Sequence, residues 1–347
     1  MDNWNRIDWL ASHQHLPPEE IEQLLTDPSE DTIQYLFNRA AAVRKQYYGT
    51  DVYVRGLIEI SSYCRNNCYY CGIRKGNTKA QRYRLSKEEI LLACRNGYKS
   101  GFRTFVLQGG EDPYFTDLQL IPLIQAIKKE YPDCALTLSL GERSRDSYLA
   151  CFQAGADRYL LRHETANPIH YRQLHPTPMS WEHRIQCLYQ LKEIGYQVGC
   201  GFMVGTPGQT KKDLAQEVAF AEEFRPHMIG IGPFLPHSQT PFAQKSAGTL
   251  QQTLMLLALL RLTLPKTLLP ATTALNTLTP GGREAGILAG ANVIMPNLSP
   301  PEVRGKYQLY DNKLSVGLEA IEGFAILKEQ IKQIGYQTVV ARGDSLQ

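Results

Sequence analysis

Three cysteines stand close together: Cys64, Cys68 and Cys71, spaced C-x3-C-x2-C in Cys64-Arg65-Asn66-Asn67-Cys68-Tyr69-Tyr70-Cys71-Gly72. Thiolates this near one another can surround a single small inorganic centre. A structural zinc needs four protein ligands, and no fourth Cys or His lies beside the loop; the next candidate is Cys94. Three thiolates suit a 4Fe-4S cluster with one iron left unligated by protein, open to a substrate or cofactor. The loop is polar and rich in Asn, unlike the surroundings of core cysteines. Cys94, Cys134, Cys151, Cys187 and Cys200 fall in helix-like or strand-like segments and read as small core residues.

Other polar groups cluster where apolar runs end. In Gln108-Gly109-Gly110-Glu111-Asp112 the paired glycines let a ligand approach the backbone closely. Ser139-Leu140-Gly141-Glu142 closes the next run, and Arg158 to Thr165 runs along and off the one after it. Packing does not account for Arg162, His163, Glu164 and Thr165 together, because unpaired buried charge is costly. His163-Glu164 is not a zinc-protease motif, since Asn167 stands where the second His would be. Arg184 can meet a carboxylate bidentately or face solvent on a helix. Gly199-x-Gly201 lies inside an apolar run, not at a dinucleotide-binding turn. Gly232 to His237 forms a stiff candidate loop, Ala271-Thr272-Thr273 and Met295-Pro296-Asn297 end two further runs, and Pro280 to Glu284 opens a helix where an anion could sit.

The elements that must position these groups alternate. Buried strands are expected at Val52–Ile60, Thr104–Leu107, Ala135–Leu140, Asp157–Leu161, Gln197–Val204, Met228–Ile231, Leu268–Thr272 and Asn292–Met295. Amphipathic helices are expected between them, at Lys87–Asn96, Leu118–Glu130, Arg145–Gln153, Trp181–Ile194, Lys212–Phe224, Leu250–Leu262 and Arg283–Leu288. This is the layout of a parallel α/β protein; eight strands in this length suit a (β/α)8 TIM-type barrel, with an open doubly wound sheet as the rival that periodicity alone does not exclude. The division reads as a helical N-terminal extension over 1–50, with helices near Pro17–Glu20 and over 29–48, a barrel over 51–304, and a tail over 305–347 with a helix at Leu318–Ile334. A barrel places its chemistry just after the strand ends, where these motifs lie.

Composition excludes several classes. With 43% apolar residues and a formal net charge of +3 the chain is not disordered. Thirty-seven basic against 34 acidic residues leave no surplus for nucleic acid. The longest charge-free apolar run, Leu254–Leu260, is far short of the ~20 residues of a membrane span. Met1 to Arg6 lacks the apolar core of a signal peptide, so a reducing cytoplasm and unpaired cysteines are expected.

The C-x3-C-x2-C loop, with Tyr70 before its last Cys, resembles the cluster loop of radical S-adenosylmethionine (SAM) enzymes. That resemblance implies a barrel core, a low-potential 4Fe-4S cluster whose open iron is chelated by SAM, and reductive cleavage of SAM to methionine and a 5′-deoxyadenosyl radical. Longer segments resemble the HydE family of FeFe-hydrogenase maturases: Leu107–Tyr114, Thr137–Glu142, Arg162–Pro168, Gly230–Phe234, Ala271–Ala274, Pro280–Glu284, Gly290–Asn297 and Tyr307–Tyr310. The match runs over about 50–335. It implies that Cys64, Cys68 and Cys71 hold the cluster, and that Gly109, Gly110, Glu111, Ser139, Glu164 and Arg184 hold SAM, Gly109 through backbone alone. Arg162, Thr272, Thr273, Met295, Tyr307 and Tyr310 would line the substrate end, with Arg55 and Arg158 paired to carboxylates inside the barrel.

The implied substrate is an iron–cysteine organometallic precursor processed during H-cluster assembly. The implied partners are a low-potential donor of flavodoxin or ferredoxin type and other hydrogenase maturases. A radical SAM enzyme of a small organic substrate, a methylornithine-synthase-like mutase or a biotin-synthase-like sulfur inserter, is the alternative; a scaffold with a structural metal is the non-enzyme one. No cysteine follows Cys200, so no second cluster is expected near the C-terminus.

Overall fold

The computed structural model describes residues 1–347 apart from Asp27 and Val316. Three helices come first, α1 (Asn3–His13), α2 (Pro18–Leu25) and α3 (Glu30–Tyr48), then β1 (Asp51–Val54) and β2 (Gly56–Ser61). After these come α4 (Lys87–Lys99), β3 (Thr104–Gly109), α5 (Asp117–Glu130), β4 (Ala135–Ser139), α6 (Arg145–Gln153), β5 (Arg158–Leu160), α7 (Pro168–Leu174), α8 (Trp181–Ile194), β6 (Gln197–Val204), α9 (Lys211–Phe224) and β7 (Met228–Pro233). The chain ends with α10 (Leu250–Thr263), α11 (Thr273–Leu278), α12 (Gly282–Leu288), β8 (Val293–Ile294), α13 (Pro301–Arg304), α14 (Phe324–Gln333) and β9 (Gln337–Val339).

β2 to β7 form a parallel six-stranded wall in sequence order. Parallel bridges Met228↔Leu268, Pro270↔Val293 and Leu57↔Asn297 carry that wall through 268–270 and β8 back to β2, which closes a barrel. Side-chain caps start the helices: Ser86 and Glu89 form a capping box on α4, and Ser144, Ser180 and Thr210 cap α6, α8 and α9. Buried apolar residues of the wall and the helix inner faces make one continuous core. No helix among the described residues is long and apolar enough to cross a membrane.

Several elements differ from the sequence reading. The strand expected at Val52–Ile60 divides at Arg55, where β1 pairs with β8 and β9 while β2 pairs with β3. Just after the break, Gly56 packs so closely on Leu298 that a Cβ there would collide with it. The strand expected at Leu268–Thr272 shrinks to isolated bridges, since Pro270 has no N–H to give a ladder. The C-terminal helix expected from Leu318 begins at Phe324, after 3-10 turns at Gly317–Glu319 and Ile321–Gly323. Helix α1 and strand β9 were not expected; α1 buries only Ile7 and Leu10, and β9 is a three-residue edge.

Candidate active site

A cavity of about 370 Å³ opens at the C-terminal ends of the barrel strands, and the loops after β2, β3, β4, β5 and β7 reach it. Cys64, Cys68 and Cys71 all face it from the loop after β2. That loop is held by its own polar groups: Arg82 donates to the carbonyls of Ile73, Arg74 and Asn77, Asn77 Nδ2 donates to Gly72 O at 2.7 Å, and Lys75 N donates to Asn66 O at 2.8 Å. Gly110 packs so closely on Tyr63 and Cys64 that a Cβ would collide with both.

Burial, followed by the charges of Cys71 and Cys64, raises the Cys68 thiol, and burial and Cys64 push Cys71 up to about 12. Burial raises Cys64 as well. Three mutually repelling thiolates invite a cationic centre to replace their protons. Among the described residues no three His, Cys, Asp or Glu side chains gather closely enough to ligate one ion. A single zinc would need each sulfur about 2.3 Å away, whereas a 4Fe-4S cluster takes each thiolate on a separate iron and so tolerates a wider set. Three thiolates on one loop fit a 4Fe-4S cluster with one iron left open.

Beside the cysteines lies a charged lattice. Arg184, from α8, faces Glu111 at 3.7 Å, contacts Glu142 and donates to Arg162 O at 2.6 Å. Burial alone would lower its guanidinium, but Tyr171, Glu142 and Glu111 outweigh that and hold it charged. Glu111 also accepts from Arg65 Nε and from Glu142 N, both at 3.0 Å. Gly141, at φ +76°, leaves room for that carboxylate; a Cβ would strike it. Arg162 Nε donates to Glu164 Oε1 at 3.1 Å. Glu164 has φ +67°, a left-handed backbone rare outside glycine and costing roughly 1–3 kcal/mol. Its N–H donates to Gly201 O at 3.0 Å, and the neighbouring His163, fully buried, meets Glu217 at 2.7 Å on the outer side. Ser139, Gly109 and Gly110 complete this wall.

The same cavity is lined by Thr272, Thr273, Met295, Tyr307 and Tyr310, with Arg162 beside Glu164. Thr273 Oγ1 donates to Glu319 at 2.9 Å and Thr272 Oγ1 to Ile231 O at 3.3 Å. Burial raises the Tyr307 and Tyr310 hydroxyls, so both stay protonated as donors. All fifteen residues named from the sequence as cluster, SAM or substrate contacts thus line one cavity. Arg55 and Arg158 do not. Arg158 pairs with Asp344 at 2.6 Å at the other end of the barrel. Among the described residues no carboxylate lies at ion-pair distance from Arg55: Nη1 contacts Met228 Sδ at 2.9 Å and Nε has no partner, in a stretch of wall shared with Arg158, Thr137, Gln197 and His227.

Sequence reasoning missed Glu59, Lys313 and Glu319, all of which line the cavity. Glu59 is fully buried and takes Lys313 Nζ at 2.7 Å and Asn297 Nδ2 at 2.8 Å. Glu319 takes Thr273, Asn276 and Arg283. The only sequence signal was an acid inside an apolar run at Leu57–Ile60.

A profile of the radical SAM superfamily matches residues 58–221. The chain is 46% identical over 298 residues to the [FeFe] hydrogenase maturase subunit HydE of Thermotoga maritima, covering 86% of this chain and 85% of that protein. It is 28% identical over 334 residues to a 3-methylornithine synthase of Methanosarcina acetivorans, covering 94% and 93%. Among solved structures, methylornithine synthase (PylB) superposes with a TM-score of 0.83 at 26% identity, over 96% of this chain and 97% of that one.

Proposed function

Because this chain belongs to the HydE family of radical SAM enzymes, we propose that Cys64, Cys68 and Cys71 hold its 4Fe-4S cluster and that the charged lattice beside them holds SAM. When bound, the two supply one-electron cleavage of the sulfonium to methionine and a 5′-deoxyadenosyl radical. Arg184 offers its guanidinium group to the carboxylate of SAM, and Glu111 and Glu164 accept from its ammonium. Gly109 and Gly110 admit the ligand to the backbone, and Ser139 adds a hydroxyl.

Arg162, Thr272, Thr273, Met295, Tyr307 and Tyr310 then face the substrate, an iron–cysteine organometallic precursor used in assembling the FeFe-hydrogenase H-cluster. The Lys313–Glu59 and Glu319–Arg283 pairs fix the tail over that end, where exclusion of water protects a radical. A cytoplasmic setting among other hydrogenase maturases accords with this role. The observation that carries the reading is the meeting of the three cysteines and the Glu111–Arg184–Glu164 lattice in one cavity. The kinship with methylornithine synthase favours a second reading, a mutase of a small amino acid, which returns SAM after each turnover.

The deciding experiment is anaerobic reconstitution with iron and sulfide, reduction, and an assay for 5′-deoxyadenosine beside an iron count. About four irons and nucleoside formation are expected; with Cys71→Ala, both should collapse while the fold persists. Zinc, or iron without SAM cleavage, sinks the reading. Consumption of SAM with the iron–cysteine precursor separates the maturase from the mutase.

A further inference from the structure

From Ser61 to Lys87 the chain carries seven basic residues, Arg65, Arg74, Lys75, Lys79, Arg82, Arg84 and Lys87, and no Asp or Glu. Setting those seven aside leaves 30 Lys and Arg against the chain's 34 Asp and Glu, so its positive balance resides in the segment that carries the three cysteines. Elsewhere basic pairs are interleaved with acids, as in Lys211-Lys212-Asp213 on α9.

The fold uses only part of this charge internally. Arg82 serves backbone carbonyls, and Arg74 donates to Asn67 O at 3.1 Å. Arg65 and Arg84 pair with Glu111 and Asp112, yet those carboxylates are only 9% and 1% exposed while the guanidinium side chains are 56% and 37% exposed. Solvent therefore meets the cationic side of both pairs. Lys75, Lys79 and Lys87 are exposed, and among the described residues none has a carboxylate at ion-pair distance. Lys75 N is fastened to Asn66 O at 2.8 Å and Gly76 N to Asn67 Oδ1 at 2.9 Å. This sets Lys75 directly against two of the three residues that separate Cys64 from Cys68.

We propose that this outward face is the docking surface for an acidic carrier protein that delivers single electrons to the cysteine-held centre. The inference rests on the radical SAM reading and names where its reductant binds. In each encounter the carrier loses one electron and the centre gains one; no atom is transferred. Exposed Glu88 and Glu89 follow Lys87 on α4, so the unopposed charge is that of Lys75 and Lys79 with the outward sides of Arg65 and Arg84. Such a basic surplus attracts an oppositely charged partner and steepens the salt dependence of association, and its rim charges act mainly on the encounter rate. A surface serving only to steady the cluster's own charge has no need of lysines turned to solvent, where they are screened.

The test compares two reductants on the same enzyme: a reduced acidic flavodoxin and dithionite. The variants are Lys75→Glu/Lys79→Glu and, as a control of equal charge change, Lys211→Glu/Lys212→Glu on α9. At low salt the loop variant should lose about tenfold or more of the flavodoxin-driven 5′-deoxyadenosine formation, and its flavodoxin affinity in an anaerobic titration should fall in step. Its dithionite-driven rate and iron content should match those of the wild type and the control. An unchanged flavodoxin-driven rate overturns the docking surface. An equal loss under dithionite also overturns it, by assigning the lysines to the cluster itself. If the wild type makes no 5′-deoxyadenosine under dithionite, the radical SAM reading fails and takes this proposal with it.

Discussion

A glycine decides the geometry of one carboxylate beside the cysteines. Gly141 sits at φ +76° with the Glu111 side chain lying where its Cβ would be. Gly141→Ala therefore meets two penalties, a left-handed backbone costing about 1–2 kcal/mol and a collision that must turn Glu111 away. Because Glu111 organises Arg65, Arg184 and Glu142 N, we expect a weakened SAM complex, by about tenfold or more, with a stability loss of only ~1–3 kcal/mol. Calorimetric titration with SAM beside a denaturant melt measures both; a stability loss with unchanged affinity would make Glu111 a structural acid. Glu111 was legible in the sequence because a local Gly-Gly-Glu motif carries it, whereas Arg184 was pointed to only through the family resemblance. Glu59, Lys313 and Glu319 were not legible, since the Glu59–Lys313 contact spans 254 positions and no local pattern marks it.

At the scale of elements, the weakest strand is rescued by side chains. The expected strand at Leu268–Thr272 contains Pro270, so its ladder is broken, and the stretch is fastened instead by α10. Arg261, fully buried on that helix, donates to the carbonyls of Gly290, Pro265 and Thr267 and to Asn292 Oδ1, while Asn292 Oδ1 also accepts from Leu269 N. Burial pulls the Arg261 guanidinium down to about 9, still charged at neutral pH. Arg261→Met keeps the bulk and leaves these acceptors unpaired. It should cost roughly 3–5 kcal/mol, seen as a lower denaturant midpoint with an unchanged slope. A loss below about 1 kcal/mol would mean that water replaces the guanidinium. The sequence showed α10 only as an apolar segment; that its arginine also holds Gly290 and Asn292, 29 and 31 positions on, is a contact no local pattern marks. By contrast α6, α8 and β6 were read to the residue, because periodicity and caps are local.

At the scale of the whole molecule, the two ends of the barrel are closed by the same tail. Residues near Lys313 and Glu319 cover the end where the cysteines lie. Farther on, Arg342 O accepts from Thr104 and Arg158, and Asp344 accepts from Arg158 at 2.6 Å and Gln197 at 2.9 Å, which ties β3, β5 and β6 together at the opposite end. A sealed floor leaves the strand-end mouth as the route to the cavity, as radical chemistry that must exclude water requires. Burial alone would raise the Asp344 carboxyl, but hydrogen bonds from Arg342 and Arg158 outweigh it and hold it well below the ordinary range. A depressed carboxyl stabilises the fold above its unfolded pKa of about 4 and loses that contribution as pH falls through the lower folded value. Wild type should therefore melt above Asp344→Asn at pH 7, and the gap should close as the pH falls below about 4. Because acid also dissolves iron–sulfur centres, cluster-free samples of both proteins are the ones to compare by calorimetry. Faster hydrogen exchange in β5 of the variant at pH 7 would locate the loss at the floor. A gap that is the same at every pH would mean that Asp344 acts through packing and not through its charge.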